Sequence, residues 1–214
     1  MFKKIAIVQS NYIPWKGYFD LINLVDEFVL YDDSQYTRRD WRNRNRIKAH
    51  GKLSWLTIPV EVKGKYYQKI KDTRISDKTW NKKHWATILH SYRKAKFFNE
   101  YRDFFEELYL STDEDYLSLL NYRFITSINE LLGITTKITW SSDYNQVNGK
   151  TEKLVNICKE TGANEYWSGP AAKEYIDPAS FEEEKIKLCW MNYDNYPEYE
   201  QPDPPFEHNV SIID

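Results

Sequence analysis

Only two cysteines occur in the 214 residues, Cys158 and Cys189, far apart and outside any CxxC pattern. That excludes a disulfide-stapled secreted scaffold and points to a reduced protein. No stretch approaches the ~18–20 consecutive apolar residues that a membrane-spanning helix needs. The opening MFKKIAIVQS has an apolar run that Gln9 cuts too short for a secretion signal. The expectation is a cytoplasmic protein with no stable membrane insertion. Charge of one sign is also missing: 30 basic and 32 acidic residues leave a formal net charge of -2. There is no global pull towards nucleic acid or an anionic membrane, so any anion site must be local. Histidine is scarce, and no His/Cys/Asp/Glu set has zinc-site spacing. Neither a Walker loop nor a GxGxxG run occurs. No metal site is evident, and the cofactor, if there is one, is left open.

Aromatic residues are plentiful, at 16% of the chain with 8 Trp and 17 Tyr. Their N–H and O–H groups need partners, so many must reach a surface or a cleft. The length suits one α/β domain, 1–214, with a mostly helical insertion at about 79–132.

Lys4 to Val8 reads as a buried strand, Trp15 to Asn23 as a helix with Tyr18, Phe19 and Ile22 on one stripe, and Glu27 to Tyr31 as a second strand. Strand, loop, helix, strand is a βαβ unit, which implies a Rossmann-like core with a mainly parallel sheet. Ligands of such sheets sit beyond the carboxyl ends of the strands, here after Val8 and after Tyr31. Trp41 to His50 and Leu53 to Val62 read as a basic hairpin turning at Gly51-Lys52, with Pro59 near an edge or bulge. Helices are expected over Thr79–Ala95, Phe98–Tyr109, Asp115–Leu132 and Thr151–Thr161. Further strands are expected at Ile134–Trp140, Glu165–Ser168 and Ile186–Met191.

Three segments carry most of the chemistry. Gln9 to Asp20 places Gln9, Asn11, Tyr12, Trp15 and Gly17 at a βα junction. There the free N–H groups of a helix start suit an anion, and an ordinary tight turn around a packed Trp is the plain alternative. Asp32 to Lys48 holds Asp32, Asp33, Gln35, Trp41 and an alternating Arg-Asn row. On a strand, Arg42, Arg44 and Arg46 share one face, and Asn43 and Asn45 the other. Neighbouring arginines then stand about 7 Å apart, a spacing that grips phosphates bidentately. The alternative is a solvated basic face, or arginines paired with Asp32, Asp33 or Asp40. Tyr166 to Tyr175 puts Ser168 and Lys173 around a Gly169-Pro170 turn. The tail from Tyr199 adds Gln201, Phe206, His208, Ser211 and Asp214.

In this order, the segments resemble the WbqC-like family of bacterial surface-polysaccharide (O-antigen, lipopolysaccharide) biosynthesis proteins. The family's Q-P-x-Y-x-P-W/Y-x-G-Y-F stretch matches Gln9, Tyr12, Pro14, Trp15, Gly17, Tyr18 and Phe19, with Ser10 where proline is usual. Its Y-D-D-x-Q-Y … W-x-N-R-N-R-I block matches Tyr31 to Tyr36 and Trp41 to Ile47. Its Y-x-S-G-P … K-x-Y stretch matches Tyr166 to Tyr175. Its final Y-x-Q … F-x-x-x-x-S-x-x-D matches Tyr199 to Asp214. The resemblance implies a transferase adding a small acyl or aminoacyl group, glycyl among the candidates, to an amino sugar carried on a nucleotide or lipid. The donor would be a charged tRNA, an acyl-adenylate or a thioester. In that scheme Arg44 and Arg46 hold the pyrophosphate, and Trp15 or Tyr12 stacks on sugar or base. Asp32 or Asp33 takes the ammonium proton, and Gln9, Asn11, Gln35, Trp41, Asn43, Asn45, Ser168 and Lys173 complete the binding set. The alternatives are a non-catalytic sugar-nucleotide binding or scaffold protein of the same pathway, and a nucleotidyltransferase-like enzyme. The junction's lack of a histidine pair weighs against the last.

Overall fold

The computed structural model of the chain describes residues 2–49 and 51–214; His50 lies outside them. The chain forms two compact units. The first comprises Met1–Ser10, Gly17–Ser34 and Asn129–Asn195, and the second Asn11–Lys16, Gln35–Ile128 and Tyr196–Asp214.

The first unit is built on a parallel sheet of β1 (Lys4–Val8), β2 (Glu27–Leu30), β5 (Lys137–Trp140), β6 (Glu165–Ser168) and β7 (Lys187–Trp190). The strand order is β5-β2-β1-β6-β7, and each neighbouring pair runs parallel. This is the Rossmann-like, mainly parallel core expected from the strand–loop–helix–strand spacing. Strand alternation sends Ile5, Ile7 and Val29 into one core with Leu154, Val155, Ile157 and Cys158 of helix α5 (Thr151–Thr161). The opposite face presents Phe28, whose ring lies 5.2 Å from that of Tyr18 on helix α1 (Lys16–Leu24). Helix α5 stops at Gly162, whose φ of 70° is the left-handed cap that glycine adopts without a Cβ penalty. Glu27, the first residue of β2, is buried. Its carboxylate accepts from Lys3 Nζ, Lys137 Nζ, Thr139 Oγ1 and Tyr144 OH at 2.5–3.2 Å. Burial pushes its pKa up, but these four donors more than offset it and hold the group at about 2.

The second unit holds an antiparallel hairpin, β3 (Arg44–Ala49) and β4 (Lys52–Thr57), with helices α2 (Trp80–Tyr92), α3 (Phe98–Leu110) and most of α4 (Leu117–Leu132). The hairpin core is Asn45, Ile47 and Leu56, all buried on one face. Strand β4 is shorter than its apolar pattern suggests: past Thr57 the chain leaves the ladder, and Pro59 has no N–H to extend it. The helices follow the expected segments: α5 has the expected bounds, α1 is shifted by one residue, α3 runs one residue further to Leu110, α2 is shorter at both ends and α4 at its start. One helix went unforeseen, α6 (Pro178–Glu183) in the first unit. It carries a clear start signal, Asp177 capping the Ala179 N–H at 3.2 Å and proline in the first turn. None of the helices among the described residues is long and apolar enough to cross a membrane.

Candidate functional site

In the first unit the chain runs β1, β2, β5 to one side, then returns to place β6 and β7 on the other. The direction therefore reverses between β1 and β6, the point at which open parallel sheets leave a crevice beyond the strand ends. Gln9 and Ser10 follow β1 there, and Ser168 ends β6 before Gly169-Pro170. Gln9 Nε2 donates to Ser34 Oγ at 2.6 Å, and its carbonyl accepts from Tyr18 OH at 3.1 Å. Asp32, 1% exposed, accepts the Ser10 N–H at 2.8 Å. Asp33 is half-buried and accepts from Ser141 Oγ at 2.8 Å. Asp32 thus fixes the bend of the chain after β1. Ser168 is buried; Lys173 is exposed, its Nζ 5.6 Å from the Trp190 ring centre.

The second unit contains a cavity of about 380 Å³ lined by Asn11, Pro14, Trp15, Trp41, Asn45, Arg46 and Asn209. Its size falls in the range of roughly 300–1,000 Å³ common to small-molecule sites. The lining mixes two indoles, three side-chain amides and one guanidinium. The strand alternation holds from Arg44 on, with Arg44 and Arg46 half-buried on one face and Asn45 and Ile47 buried on the other; β3 starts later than the expected Trp41, so Arg42 and Asn43 precede it. Arg46 forms no ion pair among the described residues, and its Nε is buried with no hydrogen-bond partner. Its guanidinium lies 5.5 Å from the Trp41 ring centre. The expectation that carboxylates neutralise the row applies instead to Arg42, which pairs with Asp40 at 3.4 Å and donates to Asn11 Oδ1. Arg44 donates to the Arg39 carbonyl and stacks on Trp55.

A rigid shell stands behind the cavity wall. Tyr12, given above a stacking role, is 0% exposed. Its hydroxyl meets His84 Nδ1 at 2.9 Å and Tyr109 OH at 2.8 Å, amid Trp80 and Phe124. Asn11 before it and Pro14 after it do line the cavity, and between them Asn45 Nδ2 donates to the Tyr12 and Ile13 carbonyls at 3.2 and 2.8 Å. These bonds hold Ile13 at a φ of 36°, a region that a β-branched residue seldom enters. Asn43 likewise serves the backbone, donating to Ile58 O at 2.8 Å. The tail closes the frame: Ser211 N donates to Arg46 O and Ile212 N to Pro14 O, each at 2.8 Å. Asp214 anchors it, accepting from Tyr92 OH, Tyr199 OH and Gln201 Nε2 at 2.6–2.7 Å.

Gln35 sits elsewhere in this unit, donating to Tyr66 O at 2.9 Å, and does not line the cavity. Sequence reasoning overlooked Asn209 and Trp55. Asn209 lies between two residues of the tail that were singled out, His208 and Ser211, with no pattern of its own. Trp55 was within reach, since a hairpin folded at Gly51 sets residue 55 opposite residue 46. Among the described residues no group of three or more His, Cys, Asp and Glu could hold a metal ion.

The sequence profile of the WbqC-like protein family matches residues 9–214. An uncharacterized protein of Mycobacterium tuberculosis (strain ATCC 25618 / H37Rv), Rv1507c, is 50% identical over 212 residues, covering 99% of this chain and 92% of the relative. No solved structure matches the chain significantly.

Proposed function

Because the chain belongs to the WbqC-like family, we propose that it is a cytoplasmic transferase of bacterial surface-polysaccharide biosynthesis. Its reaction adds a small acyl or aminoacyl group, such as glycyl, to the amine of an amino sugar carried on a nucleotide or lipid. The observation that carries this reading is the unneutralised Arg46 in the wall of a cavity that also offers indole faces and amides. A guanidinium presents a planar fork of donors that a phosphate satisfies two bonds at a time. Flat rings and side-chain amides suit a sugar, whose C–H faces pack on indole and whose hydroxyls bond to amides.

In the reaction the amine lone pair attacks the donor's carbonyl carbon. The C–N bond forms, the donor's ester, anhydride or thioester bond breaks, and the ammonium proton passes to a base. In this scheme Asp33 is the carboxylate assigned to that proton. Asp32 is a positioning residue, since its carboxylate is buried and already accepts the Ser10 amide. A binding or scaffold role in the same pathway is the second reading, favoured by the hydrogen bonds that already occupy both carboxylates. Incubation with amino-sugar nucleotides and each donor class, with mass spectrometry for an amide product, decides between them. An amide that forms with the parent and not with Asp33→Asn supports the transferase. Tight binding with no amide from any donor overturns it and leaves the binding role.

A further inference from the structure

We infer that the outward face of the β3–β4 hairpin is a nucleobase-stacking surface, so that the amino sugar is carried on a nucleoside diphosphate. This rests on the anion reading of Arg46 and names the carrier that reading left open.

In the hairpin register Arg46 lies opposite Trp55 and Arg44 opposite Thr57, so the two arginines and the indole share one face. Trp55 is 44% exposed and Trp41 38%, with ring centres 5.4 Å apart and planes at 38°. Core packing gives no reason for this, since it leaves two of the largest apolar side chains open to water. The cations are interleaved with the rings. Arg44 lies 4.0 Å from the Trp55 ring centre, and Arg46 lies 5.5 and 5.6 Å from those of Trp41 and Trp55. Neither arginine has a carboxylate partner among the described residues. The next basic residue on this face, Lys48, is not part of the arrangement. It is buried and donates to the Asp203 and Pro205 carbonyls.

Rings with uncompensated guanidinium groups between them match a nucleotide: a base has a π-face for the indole, and a diphosphate has oxygens for the forks. Trp41 and Arg46 also line the cavity, so the stacking face and the sugar pocket are continuous. A lipid-linked sugar carries the same diphosphate but no ring to stack.

Calorimetric titration of the full chain with UDP, GDP and inorganic pyrophosphate tests this. The nucleoside diphosphates are expected to bind about five- to a hundredfold tighter than pyrophosphate, the span that stacking one base on an aromatic side chain gives. Trp55→Ala should erase that difference and leave pyrophosphate affinity unchanged, whereas Trp55→Phe should keep most of it. Equal affinity of the parent for all three probes overturns the stacking surface while leaving the anion site intact. Failure of the parent to bind pyrophosphate, or an Arg46→Ala variant that binds it as tightly, overturns the anion reading instead. Should Trp55→Ala melt early, the parent's preference and the Trp55→Phe variant still decide.

Discussion

Acid should weaken this protein first through His84. The ring is 7% exposed and packed against Tyr12 and Trp80. Burial pulls its pKa from 6.5 to about 4; a hydrogen bond with the Thr57 backbone works the other way, and nearby Lys83 adds to the drop. A depressed folded-state pKa means that, as pH falls through 6.5, the unfolded chain takes up a proton that the folded chain refuses. The contribution is fully present above pH 6.5 and is lost progressively down to about pH 4. At ~1.4 kcal/mol per pH unit, a drop from 6.5 to about 4 is worth about 3 kcal/mol. That is a large part of the ~5–15 kcal/mol that holds most domains folded. Urea unfolding followed by tryptophan fluorescence at intervals from pH 7.5 to 4.5 measures it directly. His84→Gln keeps an acceptor and a donor for Tyr12 and Thr57 but does not titrate. Its stability should fall by about 2.5 kcal/mol less than the parent's over that range, which stops short of the folded-state pKa, whatever its stability at pH 7. Parallel curves for parent and variant would show that the folded protein accommodates the imidazolium, and the argument from burial would be wrong.

Other outcomes follow from the same geometry. Arg46→Ala should weaken sugar-nucleotide binding by roughly ten- to a hundredfold, the worth of one charge-assisted bond. Arg38→Ala, which removes only a bond to the Val62 carbonyl, should leave titration calorimetry nearly unchanged. A lowered Tm with unaltered affinity for Arg46→Ala would make that arginine structural. Asp214→Ala strips one acceptor from three donors and should cost about 2–3 kcal/mol in urea unfolding; a smaller loss than 1 kcal/mol would mean that water replaces it. Glu27, held at about 2, contributes stability that is present above pH 4.5 and lost as pH falls through 2. Glu27→Gln should therefore show a flatter acid limb below pH 4.5 in circular dichroism, with lower stability at pH 7. An unchanged acid limb would show that its donors do not favour the carboxylate.

What the chain's order of residues determined was local and periodic. Lys4–Val8 is a strand because five consecutive buried or half-buried residues follow one another before Gln9. Thr151–Thr161 is a helix because Leu154, Val155, Ile157 and Cys158 recur at its period and Gly162 ends it. The Arg-Asn alternation had to put arginines on one face, since strand geometry leaves side chains no other choice. Which asparagine lines a cavity and which tyrosine is sealed away from it was decided only in three dimensions. Tyr12 and Trp15 belong to one motif, but the first is sealed among Trp80, His84, Tyr109 and Phe124, all distant in sequence, and the second lines a cavity. Asn45 combines a cavity wall with a clamp on two carbonyls, and no pattern announces the clamp, because its partners lie more than thirty positions away. The sheet order is of the same kind. Nothing local in Glu165–Ser168 says that it pairs with β1 rather than with β5, its predecessor among the sheet's strands; the burial of Tyr166 against Phe181 and α5 settles its place. Periodicity fixes what a residue's immediate neighbours can do, whereas burial and pairing depend on residues that only the folded chain brings together.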